Sequence, residues 1–352
     1  MTQRTWAAVV AVPLFVALGF VMALVGLPFV TYAPGPSINV LGDNGSKPII
    51  EVKGHQVFRD KDGQLRMTTV SVTERNARLD LFTLMWTWFS KVDAVYPFSA
   101  QYPSTGSQQQ DTHEGQVEMQ TSQESAVVAA LTQLGYDLHP QLKIADVTQG
   151  MPADGKIEPG DVLLRIGGTK ITAGTDVGKL IAAVPDGGSV PVVVDRGGKR
   201  VKVDLTPVEK DGNRLVGITL EPHYDFPVDV TINLNEAIGG PSAGLMFALS
   251  IYDVLTPGSL TDGNAVAGTG TIDAQGNVGE IGGIQQKIAG ARRDGAQLFL
   301  VPAGNCADAL GAQNGSMRLA KATTMKQALA TIETWSADHN APLPTCTAGT
   351  AS

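Results

Sequence analysis

Histidine, cysteine and positive charge are all scarce in this chain of 352 residues. It has five histidines and two cysteines in no metal-ligand pattern such as HExxH, so we expect no metal and no cofactor. No G-x-x-x-x-G-K-[S/T] pattern occurs, which excludes a P-loop for ATP. Lys and Arg number 26 against 34 Asp and Glu, and this net charge of −8 argues against a nucleic-acid partner.

Charged side chains are absent from residues 6–30. A helix of that length spans roughly 37 Å, enough for a tilted membrane anchor. Arg4 precedes the run, so residues 1–5 are expected in the cytoplasm and the body outside it, as a single-pass cell-membrane protein. A cleaved signal peptide is the alternative, although its apolar core is usually shorter, about 7–15 residues.

The two cysteines are Cys306 and Cys346. If the body of the protein lies outside the cytoplasm, they can form a disulfide. Two unpaired thiols are the alternative, and the sequence leaves this choice open.

Glycine, by contrast, is abundant, and it is concentrated around one serine in the sequence IGGPSAG at 238–244. The apolar run at 243–252 predicts a helix, so Ser242 lies where a turn enters a helix. Backbone N–H groups at such a turn can stabilise an oxyanion, and the Ser242 N–H is the natural donor, with Gly240 and Pro241 forming the turn. A plain helix N-cap is the alternative interpretation of Ser242.

A nucleophilic serine needs a base, and no histidine lies in the glycine-rich C-terminal motifs. Lys287, in GGIQQK at 282–287, is the candidate, because a buried lysine can have a lowered pKa. The alternative is an ordinary solvated lysine on an amphipathic helix.

The order of these motifs resembles the proteolytic domain of Lon proteases, the Ser-Lys peptidases. The shared features are GPSAG at 240–244, Thr-Gly at 269–270, a glycine turn at 276–283 and the lysine at 287. The resemblance implies that Ser242 is the nucleophile, Lys287 the general base and Thr269 the residue that holds the lysine. Two departures remove charge near the site: Ile238-Gly239 replaces Lys-Asp, and Thr271 replaces Glu.

A second resemblance lies earlier in the chain. The sequence PADGKIEPGDVL at 152–163 is similar to PDZ domains of bacterial proteases. Such domains bind an extended peptide by adding it to a sheet edge, which implies a peptide ligand for this one. A spacer domain without a ligand is the alternative.

Together the patterns predict an α+β protein: an N-terminal transmembrane helix and a Lon-type proteolytic domain with a PDZ domain inserted in it. A serial arrangement of the domains is the alternative. We expect an apolar helix over 79–89 as a core element, with a position against the membrane surface as the alternative. A polar loop over 104–114 and then a helix from about Ser122 to Leu134 should follow. The expected boundaries are a tail at 1–5, an anchor at 6–30, the two parts of the protease domain at 45–135 and 211–340, the PDZ domain at 136–210, and a mobile tail at 341–352.

The whole resembles membrane-anchored bacterial proteins that combine a PDZ domain with a Lon-like protease domain. This implies an ATP-independent serine endopeptidase acting on unfolded or exposed protein segments, with protein or peptide partners. Lon-type domains often form rings, so the resemblance also implies a homo-oligomer. The rival interpretation is a PDZ scaffold at the membrane with a silent protease fold.

Overall fold

The structure is a computed structural model that describes residues 3–24, 26–59, 62–102, 106–210 and 212–347. Its helices are Gln3–Leu24 (α1), Leu81–Phe89 (α2), Phe98–Gln101 (α3), Gln108–Gln133 (α4), Val177–Ala182 (α5), Gly244–Leu255 (α6), Ile284–Arg293 (α7), Cys306–Ala309 (α8) and Met325–Ala337 (α9).

The strands of the first half are Phe29–Asn39 (β1), Asp43–Asn44 (β2), Lys47–Pro48 (β3), Ile50–Lys53 (β4), Gln64–Val72 (β5), Ala94–Pro97 (β6), Gln141–Val147 (β7), Val162–Ile166 (β8) and Thr169–Lys170 (β9). Those of the second half are Val190–Arg196 (β10), Lys199–Leu205 (β11), Val208–Lys210 (β12), Asn213–Leu215 (β13), Ile218–His223 (β14), Asp229–Ile232 (β15), Ala265–Gly268 (β16), Thr271–Ile272 (β17), Val278–Gly279 (β18), Leu298–Pro302 (β19) and Arg318–Ala322 (β20).

The chain forms two compact units. Unit 1 is built from residues 1–136 and 228–352, and unit 2 from residues 137–227, so the second lies within the sequence of the first. Unit 2 extends beyond the predicted end at 210 because β14 pairs with β7 in its sheet. Unit 1 likewise begins before the predicted residue 45, because β1 pairs with both β5 and β6.

Unit 1 is organised around a six-stranded sheet in the order β20-β19-β16-β5-β1-β6. The β16 pairings with β5 and β19 are parallel, and the β1 pairings are antiparallel. Helix α6 is apolar on all sides and almost wholly buried, which makes it the centre of the core. Helix α7 packs against β1 and β5.

Unit 2 contains a sheet in the order β11-β10-β8-β7-β14 with α5 beside it. Its core consists of branched aliphatic side chains from these elements, including Ile144, Leu163 and Val192. Asp161 is buried within this unit and is bonded through both carboxylate oxygens to Arg196, at 2.8 and 2.7 Å. These two units are together a mixed α+β architecture, as the sequence predicts.

The membrane-spanning helix that the sequence predicts over 6–30 is not found. Helix α1 ends at Leu24, and from Phe29 the chain is extended in β1. Gly26 and Pro28 lie between the two elements, and glycine and proline are the residues least favourable to a helix interior. Across the described residues, no helix combines the length and the apolarity that crossing a membrane requires.

Three further expectations need correction. The polar segment expected as a loop over 104–114 is helical from Gln108, because Ser107 and Gln110 form a capping box. Helix α2 is mostly exposed, with Trp86 81% accessible, although its apolar sequence predicts a core element.

The expected mobile tail at 341–352 is anchored as far as Cys346. Cys306 and Cys346 form a disulfide, and the Lys321 N–H donates to the Pro344 carbonyl at 2.7 Å. Leu343 is also buried. Residues 348–352 of the predicted tail lie outside the described residues.

Candidate active site

Ser242 lies in a glycine turn immediately before helix α6. Gly240 has a φ of +88°, a conformation that side chains with a Cβ rarely adopt, and it lets the chain turn sharply into the helix. Two residues after Ser242, a Cβ at Gly244 would lie 2.9 Å from both Ile272 and Ser122. The glycines thus let the start of α6 pack closely against neighbouring elements while Ser242 stays partly exposed.

Lys287 is brought to this turn by helix α7 and is only 2% exposed. Its Nζ lies 2.7 Å from the Ser242 Oγ and donates a hydrogen bond to it. A second bond from the same Nζ reaches the Thr269 Oγ1 at 3.1 Å. The structure therefore brings together the three side chains that the sequence singles out, from segments separated by up to 45 positions in the chain.

Burial lowers the pKa of Lys287 from its ordinary value to about 7. A buried ammonium loses its hydration, so the neutral amine becomes relatively more stable. No carboxylate is among the causes of the shift, which agrees with the two charge-removing departures at 238–239 and 271. At neutral pH a substantial fraction of Lys287 is therefore the free amine, the form that can accept a proton.

Thr269 follows strand β16 and is completely buried. Its hydroxyl donates to the Ser242 carbonyl at 2.9 Å, so its lone pairs face the Lys287 amine. The Gly270 N–H donates to the same carbonyl at 2.9 Å. Thr269 thus holds the lysine on one side and the backbone of the serine on the other.

The backbone hydrogen bonds show which of Gly240, Pro241 and Ser242 can donate an N–H to an oxyanion. The Gly240 N–H donates to the Gly115 carbonyl of helix α4 at 2.8 Å, and proline has no N–H. Of the three, the Ser242 N–H is the backbone donor left to face a developing negative charge. Gly240 and Pro241 therefore shape the turn, and the oxyanion role of the Ser242 N–H stays a prediction.

Helix α4 contributes two contacts that the sequence does not reveal. Gly115 approaches Gly239 so closely that a Cβ on Gly239 would lie 3.1 Å from the Gly115 backbone. Ser122 donates its hydroxyl proton to the Pro241 carbonyl at 2.9 Å. Neither residue belongs to a recognisable motif, and Gly115 follows directly on the segment expected to be a loop.

A cavity of about 250 Å³ opens beside Ser242 and Lys287. Its apolar lining comes from Met67 and Val70 of β5, Met119 of α4 and Ile238 of the nucleophile turn. Such a cavity can accept one apolar side chain next to the serine. None of the described residues around it is a histidine, and no group of potential metal ligands occurs in the described part of the chain.

Comparison with known proteins gives two domain matches. Residues 223–331 match the Lon protease (S16) C-terminal proteolytic domain, and residues 116–206 match a PDZ domain. The PDZ match begins inside α4, whereas the folded unit 2 covers 137–227. These matches place a serine peptidase domain, which belongs to the hydrolases, in the C-terminal region and a PDZ domain before it.

Individual relatives are similar over short segments. Lon protease 1 of Herpetosiphon aurantiacus is 38% identical over 86 residues, which is 24% of this chain and 10% of that protein. The Lon protease of Neorickettsia sennetsu is 41% identical over 66 residues, 19% of this chain and 8% of that protein. The chain thus aligns with about a tenth of the length of these relatives.

Among solved structures, the PDZ domain of the SdrC-like protein from Listeria monocytogenes is 26% identical. It covers 22% of this chain and 85% of its own chain, with a TM-score of 0.21.

Proposed function

We propose that this protein is an ATP-independent serine endopeptidase in which Ser242 is the nucleophile and Lys287 the general base. The observation that carries the proposal is the 2.7 Å contact between the Ser242 hydroxyl and a buried lysine whose pKa is lowered to about 7. A silent scaffold has no chemical need for this pair, for the Thr269 contact or for an adjacent open cavity.

In the proposed mechanism, the neutral Lys287 amine accepts the Ser242 proton as Oγ attacks the scissile carbonyl carbon. The Ser242 N–H stabilises the negative charge that develops on the carbonyl oxygen. The Lys287 ammonium then protonates the leaving amine, the peptide C–N bond breaks, and an acyl-enzyme remains. Water, deprotonated by the same lysine, attacks the acyl carbon; the bond from that carbon to Ser242 Oγ breaks, and Lys287 returns the proton to Oγ.

Thr269 assists both stages without touching the substrate. Its hydroxyl accepts a hydrogen bond from Lys287, which supports the ammonium form that exists between the two proton transfers. Because its own proton is donated to the Ser242 carbonyl, its orientation is the same throughout the cycle.

The substrates in this proposal are unfolded or exposed protein segments, because the chain contains no P-loop with which to drive unfolding by ATP hydrolysis. The PDZ domain adds a peptide-binding site for a substrate or a regulator. Its sheet ends in the edge strands β11 and β14, where an extended peptide can be added. Assembly into a homo-oligomer stays a prediction from the resemblance.

The Cys306–Cys346 disulfide supports an extracytoplasmic location for the body, because disulfides persist in oxidising compartments. The proposal therefore places the body of the protein outside the cytoplasm, as expected from the sequence. It does not include the transmembrane helix. Labelling with a membrane-impermeant thiol reagent after reduction, in intact cells, tests this location.

The test of the peptidase uses the full chain and an unstructured protein such as casein. Cleavage should be lost in Ser242→Ala and in Lys287→Ala, and it should be insensitive to ATP and to chelators. Lys326→Ala is the matched control, since Lys326 is an exposed lysine in the first turn of helix α9. Folded protein that cleaves nothing, under conditions where a PDZ ligand peptide is also supplied, would favour the scaffold.

A further inference from the structure

Ser122 makes a contact that its position on a helix does not require. Serine and threonine hydroxyls within helices commonly donate to the carbonyl four residues earlier. Thr112 and Thr121 of the same helix do so, to Gln108 and Val117. The Ser122 hydroxyl instead donates to a carbonyl outside its helix, that of Pro241, 119 positions away in the chain.

The Pro241 carbonyl belongs to the same peptide group as the Ser242 N–H. No cis peptide bond occurs in the described chain, so this group is planar and trans, and its C=O and N–H point in opposite directions. A hydrogen bond that fixes the direction of the carbonyl therefore also fixes the direction of the N–H.

We propose that Ser122 is a positioning residue that aims the Ser242 N–H at the oxyanion. This inference rests on the proposed peptidase function. The peptide group after Ser242 is held in the same manner, because its carbonyl accepts from Thr269 and from Gly270. The nucleophile thus lies between two peptide groups whose orientations are both fixed, one by helix α4 and the other by the segment after β16.

The contact also strengthens the donor. A hydrogen bond to a carbonyl polarises the amide, and the N–H of the same group becomes a better donor. Ser122 is only 5% exposed, so water competes little for the Pro241 carbonyl. Both effects act on the transition state, in which the oxyanion forms, and leave the binding of the neutral substrate almost unchanged.

The kinetic test compares Ser122→Ala with Ser125→Ala, the same substitution one turn further along the same helix. We expect Ser122→Ala to lower kcat about 10-fold or more, since loss of a whole oxyanion donor costs about 10²–10³-fold. KM and the pH midpoint set by Lys287 should stay within about twofold and about 0.3 units. Ser125→Ala should match the parent. Equal kcat values for Ser122→Ala and the parent would overturn the proposal.

A second measurement does not depend on catalysis. Labelling proline with ¹³C′ and serine with ¹⁵N selects three peptide groups in this sequence, Pro36–Ser37, Pro103–Ser104 and Pro241–Ser242. The signal that disappears in Ser242→Ala belongs to the last. Its ¹⁵N shift should move in Ser122→Ala and stay in place in Ser125→Ala, because amide nitrogens sense a hydrogen bond on the preceding carbonyl.

The two measurements separate the two proposals. If the parent cleaves no peptide, the proposed function fails, while the Ser242 amide signal still reports whether the Ser122 hydroxyl holds that peptide group. An unmoved Ser242 signal overturns the inference even in an active enzyme. Should Ser122→Ala fail to fold, Ser122→Cys keeps the side-chain volume with a much weaker donor, and the same shift and kcat comparisons apply to it.

Discussion

Two buried ionisable side chains, one in each unit, differ in whether neighbouring groups offset the effect of burial on their pKa. Asp161 in unit 2 is 1% exposed, and Lys287 in unit 1 is 2% exposed. Burial alone would raise the pKa of Asp161, but hydrogen bonds from Arg196 and from the Glu158 N–H outweigh it, so its pKa lies below the ordinary value. Lys287 receives no such compensation, and its pKa is lowered to about 7 by burial.

The difference distinguishes a structural ion pair from a reactive group. A buried charge with a bidentate partner stays ionised and stabilises one arrangement of the chain. A buried amine without a counter-ion stays close to the point at which it gains or loses a proton, which is the property a general base needs at neutral pH. Similar burial therefore has opposite chemical consequences in the two units.

The largest effect is expected from Lys287→Met, which removes the amine and keeps an apolar chain of similar length. We expect kcat/KM to fall about 10⁴-fold or more, because the nucleophile loses its base. The free energy of unfolding should stay the same or rise by about 1 kcal/mol, since an amine without a counter-ion leaves the core. Peptide kinetics and urea unfolding measure both. Marked destabilisation would mean that the amine is part of the structural framework.

Asp161→Ala should have the opposite pair of effects, lowering the stability of unit 2 and leaving the cleavage activity unchanged. It removes the buried acceptor of the hydrogen bonds from Arg196 and from the Glu158 N–H, and should destabilise unit 2 by about 2 kcal/mol. Cleavage of a short peptide by Ser242 should be unchanged at temperatures where the protein is folded. Urea unfolding followed beside Asp204→Ala, an exposed aspartate in strand β11, checks the size of the effect. A loss of less than about 0.5 kcal/mol would contradict the structural role of Asp161.

Thr269→Val removes the hydroxyl that accepts the second hydrogen bond of Lys287, the first being the one to Ser242. Valine keeps the shape but neither hydrogen bond, so kcat should fall about 10- to 100-fold. Thr269→Ser restores the hydroxyl and should recover most of the activity. Steady-state kinetics of the three proteins decide the matter, and a fully active Thr269→Val would exclude the positioning role.

The smallest expected effect is that of a change of one pH unit on the parent protein. Lys287 acts as a base in its neutral form, so kcat/KM should rise about tenfold per pH unit below about 7 and level off above it. Asp161 affects stability in the same direction as Lys287 affects activity, but in a lower pH window. Because its folded pKa is lowered, its contribution is present above the unfolded pKa of about 4 and is lost as pH falls through the folded pKa. Activity and unfolding profiles from pH 3 to 9 should therefore separate clearly.

Local motifs made much of the site predictable from sequence. The GPSAG turn, the Thr-Gly pair and the lysine after two glycines each carry their own backbone requirement, so their residue types identify them. Ser122 and Gly115 could not be found this way, because their partners are backbone atoms of residues that are distant in the chain. Their role depends on where helix α4 packs, and no local pattern records that.

The errors in the fold also come from tertiary context. Helix α2 has an apolar sequence typical of a core element, yet the unit 1 sheet leaves most of it exposed. The segment after residue 340 has the composition of a mobile tail, but a disulfide and a backbone hydrogen bond hold it to the fold. Whether the two cysteines meet was not decidable from their spacing, since the answer depends on the packing of α8.

Gly283 precedes the helix that carries Lys287 and has no side chain to react with anything. Its φ is +68°, and a Cβ there would lie 2.8 Å from the Val70 side chain. Any substitution would strain the backbone and displace the start of α7, and with it the base. In a library of random single substitutions screened for loss of cleavage, replacements of this glycine should therefore be found among the inactive variants. They should occur there about as often as replacements of Ser242 and Lys287.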